Sequence, residues 1–396
     1  MSHKAMKIFC FIVTPILVLS LCLISIKVDY PDTMYVSNSF SENDLSIQDK
    51  GVLNSLKYSD NKISVNFLGM VPVKTIDVKK VEGLEVYPGG TTIGVKLNTK
   101  GVLVVGHTEI ESSSGEITSP GRDAGIEVGD VIVSVNNEAI NTTKELVQKI
   151  KASSQDKANL TIMRKNEEIL KEISLGKENN ENKLGLWVRD STSGIGTLTF
   201  YDKETKTFGA LGHPITDCDT NKSYDIKSGC LLKSSVISVR KGEKGCPGEL
   251  RGLFVDESNT IGDITKNAES GIYGSTEQQL VNEKYNKPIK VGFRNEIKEG
   301  KAKIITTIDE NGPKEYDIEI VKLLPQDDVG SKSMVIKVTD EELLEKTGGI
   351  VQGMSGSPII QNGKLVGAVT HVLINKPDVG YGIYIEWMLK DAGVLE

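Results

Sequence analysis

The chain has 396 residues and a net charge of −7, which is enough length for two or three domains with hydrophobic cores. Acidic and basic residues are mixed along the sequence without a basic stripe, which excludes a typical nucleic-acid-binding surface. The 39 glycines, together with many Val- and Ile-rich segments, favour a mainly β protein with frequent turns.

The cysteines and histidines do not form a metal-binding pattern. Cys218, Cys230 and Cys246 lack C-x-x-C spacing, and the whole chain has only four histidines. A structural zinc site is therefore excluded, and we expect neither a metal nor a cofactor. Outside the cytoplasm one disulfide and one free thiol could form, but the sequence indicates no pairing.

Residues 1–27 are predicted to form a signal anchor. The segment "KIFCFIVTPILVLSLCLISI" carries no charge after Lys7, and its length approaches that of a membrane-crossing helix. Lys4 and Lys7 precede it, so the positive-inside rule predicts that the rest of the chain is exported. A cleaved signal peptide is the alternative, although the segment lacks an Ala-x-Ala cleavage site.

Residues 28–83 are predicted to be a tether followed by leading strands. Ser, Asp, Asn and Lys dominate residues 28–60, which is typical of a polar, disordered linker. Residues 62–81 alternate apolar and polar positions and indicate one or two strands.

Residues 84–178 resemble a PDZ domain of the kind attached to bacterial secreted proteases. The stretch "AGIEVGDVIVSVN" (124–136) predicts a short helix, a glycine turn and a buried strand, and 142–150 predicts an amphipathic helix. The resemblance implies that a glycine-containing loop binds the C-terminal carboxylate of a peptide. By position and type this loop is Thr92, Ile93, Gly94 and Val95. His107 follows the strand 101–105 and is interpreted as a surface histidine.

Residues 183–396 are predicted to be a β-rich serine peptidase domain. In "GMSGSP" (353–358), small residues flank Ser355, as expected around a nucleophile that a substrate must approach. The N–H groups of Gly353 and Ser355 are predicted to form the oxyanion hole. His213 in "GALGHPITD" is the predicted base, with His371 as runner-up. A histidine that precedes the serine in the chain fits a chymotrypsin-like double β-barrel.

Two alternatives remain for the serine. Ser355 could be an ordinary β-turn residue, and Ser357 is the second candidate nucleophile. The proline that follows Ser357 favours Ser355, because the pattern then matches the Gly-x-Ser-Gly-Gly-Pro turn of chymotrypsin-like enzymes.

The anchor, the PDZ-like region, "GALGHPITD" and "GMSGSPIIQNGKLVGAVTHV" together resemble the stage IV sporulation protein B peptidases. The resemblance implies a membrane-tethered signalling protease in the forespore intermembrane space. It would cleave itself and membrane-associated regulatory proteins, and so activate a late sigma factor. It also implies Asp340 as the catalytic aspartate. Asp340 could instead cap the helix that starts at Glu341, and Asp217 and Asp219 are rival carboxylates.

Two functions from different classes follow. The first is a membrane-tethered serine endopeptidase that binds peptide C-termini through its PDZ domain. The second is a catalytically inactive scaffold that uses the same PDZ domain to bind membrane partners. Self-cleavage that depends on Ser355 would distinguish the two, and we expect it between residues 28 and 84.

Overall fold

The computed structural model describes residues 13–14, 31–38, 40–41, 54–67, 70–111, 116–165, 167–326 and 328–395. Strands dominate the fold, and the helices are short. The strands are β1 Thr33–Ser37, β2 Asn54–Ser59, β3 Lys62–Phe67, β4 Val71–Val81, β5 Glu85–Pro88, β6 Thr92–His107, β7 Ile110–Glu111, β8 Ile117–Thr118, β9 Val131–Val135, β10 Glu138–Ala139, β11 Lys157–Arg164, β12 Glu167–Ser174, β13 Gly176–Glu178, β14 Glu181–Lys183, β15 Leu186–Asp202, β16 Thr207–Ala210, β17 Ile226–Arg240, β18 Glu249–Phe254, β19 Thr260–Ala268, β20 Gly271–Ser275, β21 Ile289–Lys290, β22 Gly300–Thr306, β23 Lys314–Leu323, β24 Met334–Val338, β25 Pro358–Gln361, β26 Lys364–Leu373 and β27 Lys376–Tyr384. The helices are α1 Pro120–Asp123, α2 Thr143–Ala152, α3 Glu341–Thr347 and α4 Ile385–Asp391, with a 3-10 turn at Arg294–Glu296.

The N-terminal part forms a four-stranded sheet in the order β1-β4-β3-β2. Its core contains the buried side chains of Val36, Phe40, Ile63 and Val78, among others. The prediction of a tether over residues 28–60 is therefore wrong for β1 and β2, because both strands pair within this sheet. Their polar composition hid an alternating pattern in which only one face is buried.

A first barrel is formed by six strands. β6, β17, β19, β20, β16 and β15 pair in that order, and β15 also pairs with β6, which closes the ring. Its interior is filled by apolar side chains that include Leu97, Phe208, Leu231 and Ile272.

A second barrel closes in the order β22-β23-β24-β27-β26-β25. Side chains such as Ile304, Ile336, Ile359 and Ile383 are almost fully buried inside it. Two consecutive six-stranded barrels confirm the predicted double-barrel peptidase fold.

The PDZ domain is inserted into the first barrel. The second half of β6 leaves the barrel and pairs with β9, which in turn pairs with β11. Helix α2 covers this sheet and begins with a capping box between Thr142 and Glu145. β15 then returns the chain to the barrel, paired with β6 along its way. The predicted boundary at residue 183 therefore cuts through the first barrel, because β6 precedes the PDZ insertion.

The predicted membrane anchor lies outside the described residues except for residues 13 and 14. Where the chain is described, no helix combines the length and hydrophobicity needed to span a bilayer. Cys218, Cys230 and Cys246 are all free thiols in the structure.

Candidate active site

The predicted nucleophile lies on a sharp turn at the start of the second barrel. Ser355 sits between Gly353 and Gly356, whose φ angles are +98° and +95°. A Cβ atom at Gly356 would lie 2.1 Å from the carbonyl oxygen of Thr197, so this position requires glycine. Ser357 is fully buried and donates its hydroxyl to the carbonyl of Met354 at 2.6 Å. Ser355, which lines a cavity, is thus the serine that a substrate can reach.

Strand β15 of the first barrel holds this turn in place. The Thr197 hydroxyl donates to the Gly353 carbonyl at 2.8 Å, and its N–H donates to the Ser355 carbonyl at 3.0 Å. The Thr199 hydroxyl donates to the Gly356 carbonyl at 2.8 Å. Among the hydrogen bonds of the described residues, none uses the N–H of Gly353 or of Ser355. Both donors are therefore free to bind an oxyanion, as predicted.

His213 faces the same cavity from the first barrel. It follows β16 and Gly212, whose φ of +72° turns the chain. Its Nδ1 lies 2.8 Å from the carbonyl oxygen of Pro214 and donates to it, which leaves Nε2 as the unprotonated nitrogen. Burial lowers the pKa of His213, although the Pro214 hydrogen bond and the charge of Glu269 oppose that effect. The ring is therefore neutral at pH 7 and can accept a proton.

His371 lies directly beside His213. The two ring centroids are 4.9 Å apart, with the planes tilted by 41°. Burial, followed by the charges of His213 and Lys332, lowers the pKa of His371 to about 4. Its Nδ1 is buried without a hydrogen-bond partner. His371 thus lines the site as a second neutral imidazole.

The Ser355 hydroxyl is turned away from both histidines in this conformation. It donates to the carbonyl oxygen of Thr370 at 2.7 Å. Ser355, His213, His371 and Gly353 nevertheless share one cavity of about 430 Å³ between the two barrels. A rotation of the serine side chain is needed before the hydroxyl can meet a ring nitrogen.

Asp340 is not among the residues that line the cavity. Its carboxylate accepts hydrogen bonds from the N–H groups of Leu343 at 3.0 Å and Asp317 at 3.3 Å. It is therefore the N-cap of α3, which was the alternative interpretation of this residue. In this conformation the structure does not bring it to the histidine ring, whose Nδ1 is bound to Pro214.

The rival carboxylates Asp217 and Asp219 bind Arg189. Asp217 is fully buried and also accepts the Tyr224 hydroxyl at 2.7 Å. Within the described residues, Asp217, Cys218 and Asp219 are close enough to share a cation. The Arg189 guanidinium already neutralises both carboxylates, so the group does not need a metal to compensate its charge.

The cavity also contains residues that sequence reasoning missed. Glu269, between β19 and β20, is the acidic side chain on its rim. Thr197 and Thr370 contact the nucleophile turn. No motif surrounds these three residues in the sequence. The topology brings them together across a cleft, which a linear pattern does not reveal.

The predicted peptide-binding loop of the PDZ domain is corrected by the structure. Residues 92–95 are the buried start of β6 and pair with β15 on one edge and β17 on the other. Because both edges are paired, this segment cannot add a peptide strand. Val95 instead lines the catalytic cavity.

Comparisons with known proteins agree with this architecture. The family model of the SpoIVB peptidase S55 matches residues 180–389, more than half of the chain, and a PDZ domain model matches residues 112–164. A search of curated proteins gives no significant match.

Among solved structures, the PDZ domain of an SdrC-like protein from Listeria monocytogenes is similar at 16% identity; the match covers 22% of this chain and 87% of that one, with a TM-score of 0.18. The inactive form of the Rv3671c protease is 12% identical, and its match covers 50% of this chain and 84% of that one, with a TM-score of 0.30. The active form of that protease, from M. tuberculosis, is 11% identical with coverage of 51% and 75% and a TM-score of 0.28. From the family match and the paired serine and histidine at its barrel interface, the chain belongs to the SpoIVB peptidases of family S55 and is a serine peptidase with a PDZ domain.

Proposed function

We propose that this serine peptidase is a membrane-tethered endopeptidase of sporulation signalling, with Ser355 as nucleophile and His213 as general base. The observation that carries the catalytic assignment is that these two residues face one cavity from opposite barrels. The cavity is open along the barrel interface, so an extended peptide can enter it with chain continuing on both sides.

The geometry supports a stepwise acyl transfer. The Ser355 hydroxyl turns from the Thr370 carbonyl to Nε2 of His213 and attacks the scissile carbonyl carbon, while Nε2 takes its proton. The N–H groups of Gly353 and Ser355 stabilise the oxyanion. The imidazolium then gives its proton to the leaving amine. Water repeats the sequence to release the acyl group and to regenerate Ser355.

The third member of the triad is proposed to be Asp340, on the family resemblance alone. In the present conformation the Pro214 carbonyl occupies Nδ1 of His213, the position at which a triad carboxylate acts. Glu269 is a second acid near the ring, and its charge favours the imidazolium.

The biological assignments follow from the same resemblance. We propose export into the forespore intermembrane space, cleavage of membrane-associated regulatory proteins and self-cleavage between residues 28 and 84. The described strands β1 to β4 are folded within that interval, so we expect the cuts at residues that these strands do not include.

The test uses a fluorophosphonate probe and mapping of new N-termini by mass spectrometry. Wild-type protein should be labelled at Ser355 and should produce shortened forms, whereas Ser355→Ala should do neither. His213→Ala should lose both signals while circular dichroism stays unchanged. Self-cleavage by Ser355→Ala protein purified without other proteases would refute the assignment and favour the scaffold function.

A further inference from the structure

A second groove lies in the PDZ domain, between α2 and the start of β15. It has a volume of about 360 Å³. Its lining is mostly apolar: Leu146 and Ile150 are buried, whereas Val147 and Trp187 remain 43% and 64% exposed. Exposed apolar side chains around a concave surface indicate a binding site rather than a solvated face.

One wall of this groove is an open strand edge. β15 pairs with β6 from Leu186 to Arg189 on one edge, and among the described strands none pairs with its other edge there. The strand starts after Gly185, whose φ of +66° turns the chain, and the carbonyls of Leu184 and Gly185 accept hydrogen bonds from Gly121 and Thr108. An open edge beside a helix is the geometry in which an extended peptide adds as a further strand.

The same strand continues into the catalytic centre. Residues 192–195 of β15 line the cavity that holds Ser355, and Thr197 fixes the nucleophile turn. Because β15 is paired with β6 in both the PDZ sheet and the first barrel, a shift at the groove is carried along a hydrogen-bonded ribbon.

Arg189 makes a second connection. It lies on the part of β15 that forms the groove, and its guanidinium binds Asp217 and Asp219. Asp217 organises the segment that follows His213, because its carboxylate also accepts the N–H groups of Asp219 and Thr220. The position of the groove strand is thus linked to the segment that carries the catalytic base.

We propose that this groove binds an extended apolar peptide as a strand on Leu186–Asp190, and that its binding activates proteolysis at Ser355 through β15 and Arg189. The proposal rests on the function proposed above. Its activating sign follows from the resting position of the Ser355 hydroxyl on Thr370, since movement of the neighbouring β15 can release it toward His213. The peptide is recognised by its backbone N–H groups and by alternate apolar side chains that enter the groove.

Binding is measured first, by fluorescence anisotropy with full-length Ser355→Ala protein. The probe is a fluorescein-labelled peptide Val-Thr-Val-Thr-Val, and its control is Val-Pro-Val-Pro-Val, which lacks two of the N–H donors. We expect Val147→Glu to abolish binding of the first peptide. Gln148→Glu, an exposed change of equal charge on the same helix that does not line the groove, should keep it. Equal binding to both variants, or of both peptides, would overturn the assigned groove.

Activation is measured by the rate at which a fluorophosphonate labels Ser355 in the otherwise unchanged protein. A saturating concentration of the first peptide should raise this rate at least about fivefold. Arg189→Gln should bind the peptide but lose the acceleration, whereas Lys100→Gln, which breaks the exposed ion pair with Asp225, should keep it. Peptide binding without faster labelling would overturn the coupling. A protein that is never labelled, with or without peptide, would refute both the proposed function and the activation, even if the peptide binds.

Discussion

The pKa of His371 predicts how the stability of the second barrel depends on pH. Burial is the main cause that lowers this pKa from its ordinary value of 6.5 to about 4, and the buried Nδ1 has no partner that could accept a proton from the charged ring. In the unfolded chain the ring titrates near its ordinary value. The unfolded state therefore binds more protons than the folded state between these two pH values.

The sign and size of the effect follow directly. Above pH 6.5 the ring is neutral in both states, so its contribution to stability is fully present. As the pH falls from 6.5 to 4 that contribution is lost, by up to about 3 kcal/mol at 1.36 kcal/mol per pKa unit. His371→Gln removes the titrating group, so the variant should show a correspondingly shallower loss of stability over the same range.

Urea unfolding at pH 7, 6, 5 and 4 measures this difference. Trp387 is buried in the second barrel and donates to Gln326, so its fluorescence reports on that barrel. The Trp187→Phe background removes the emission of the other tryptophan. Parallel stability curves for the protein with His371 and for the His371→Gln variant, offset by a constant at every pH, would refute the reasoning.

Three further predictions concern the reaction. The acid limb of the pH profile of kcat/KM should fall below pH 6.5, because burial lowers the pKa of His213 and the base stays neutral; a midpoint above 6.5 would contradict this. Asp340→Asn should keep the helix cap, and so the urea midpoint, while kcat/KM falls at least about 100-fold; an active variant would restrict Asp340 to capping. Thr197→Val removes the hydroxyl that holds Gly353, so kcat should fall by about tenfold and the free energy of unfolding by about 1–2 kcal/mol, as measured by steady-state kinetics and urea titration; unchanged kcat would show that the turn does not need this bond.

The catalytic pair could be predicted from sequence because its signals are local. Ser355 is surrounded by small residues at fixed spacing, and His213 follows a glycine turn at the end of a strand. The partners of these residues could not be predicted in the same way. Thr197 is separated from Ser355 by more than 150 residues, and only the closure of two barrels against each other brings them into contact.

The predicted peptide-binding loop is misplaced for a related reason. Thr92–Val95 and Leu184–Leu186 both present an apolar-glycine-apolar pattern. The pattern cannot show which of the two segments has a free edge. Strand pairing decides this: β17 covers residues 93–95, whereas no described strand covers the outer edge of Leu186–Asp190. Likewise, the polar sequences of β1 and β2 give no sign that one face of each strand is buried.

The insertion of the PDZ domain between β6 and β15 also affects how the peptidase folds. These two strands are neighbours in the first barrel, yet about 90 residues separate Asn98 from Ser191, which faces it. Closing a flexible loop of that length would cost about 4 kcal/mol of chain entropy. A folded PDZ domain brings the two strand ends together in advance and so acts as an oversized hairpin turn. Assembly of the barrel that carries His213 then depends on the earlier folding of the PDZ domain, and a chain with a damaged PDZ core reaches the active fold more slowly even though every catalytic residue is intact.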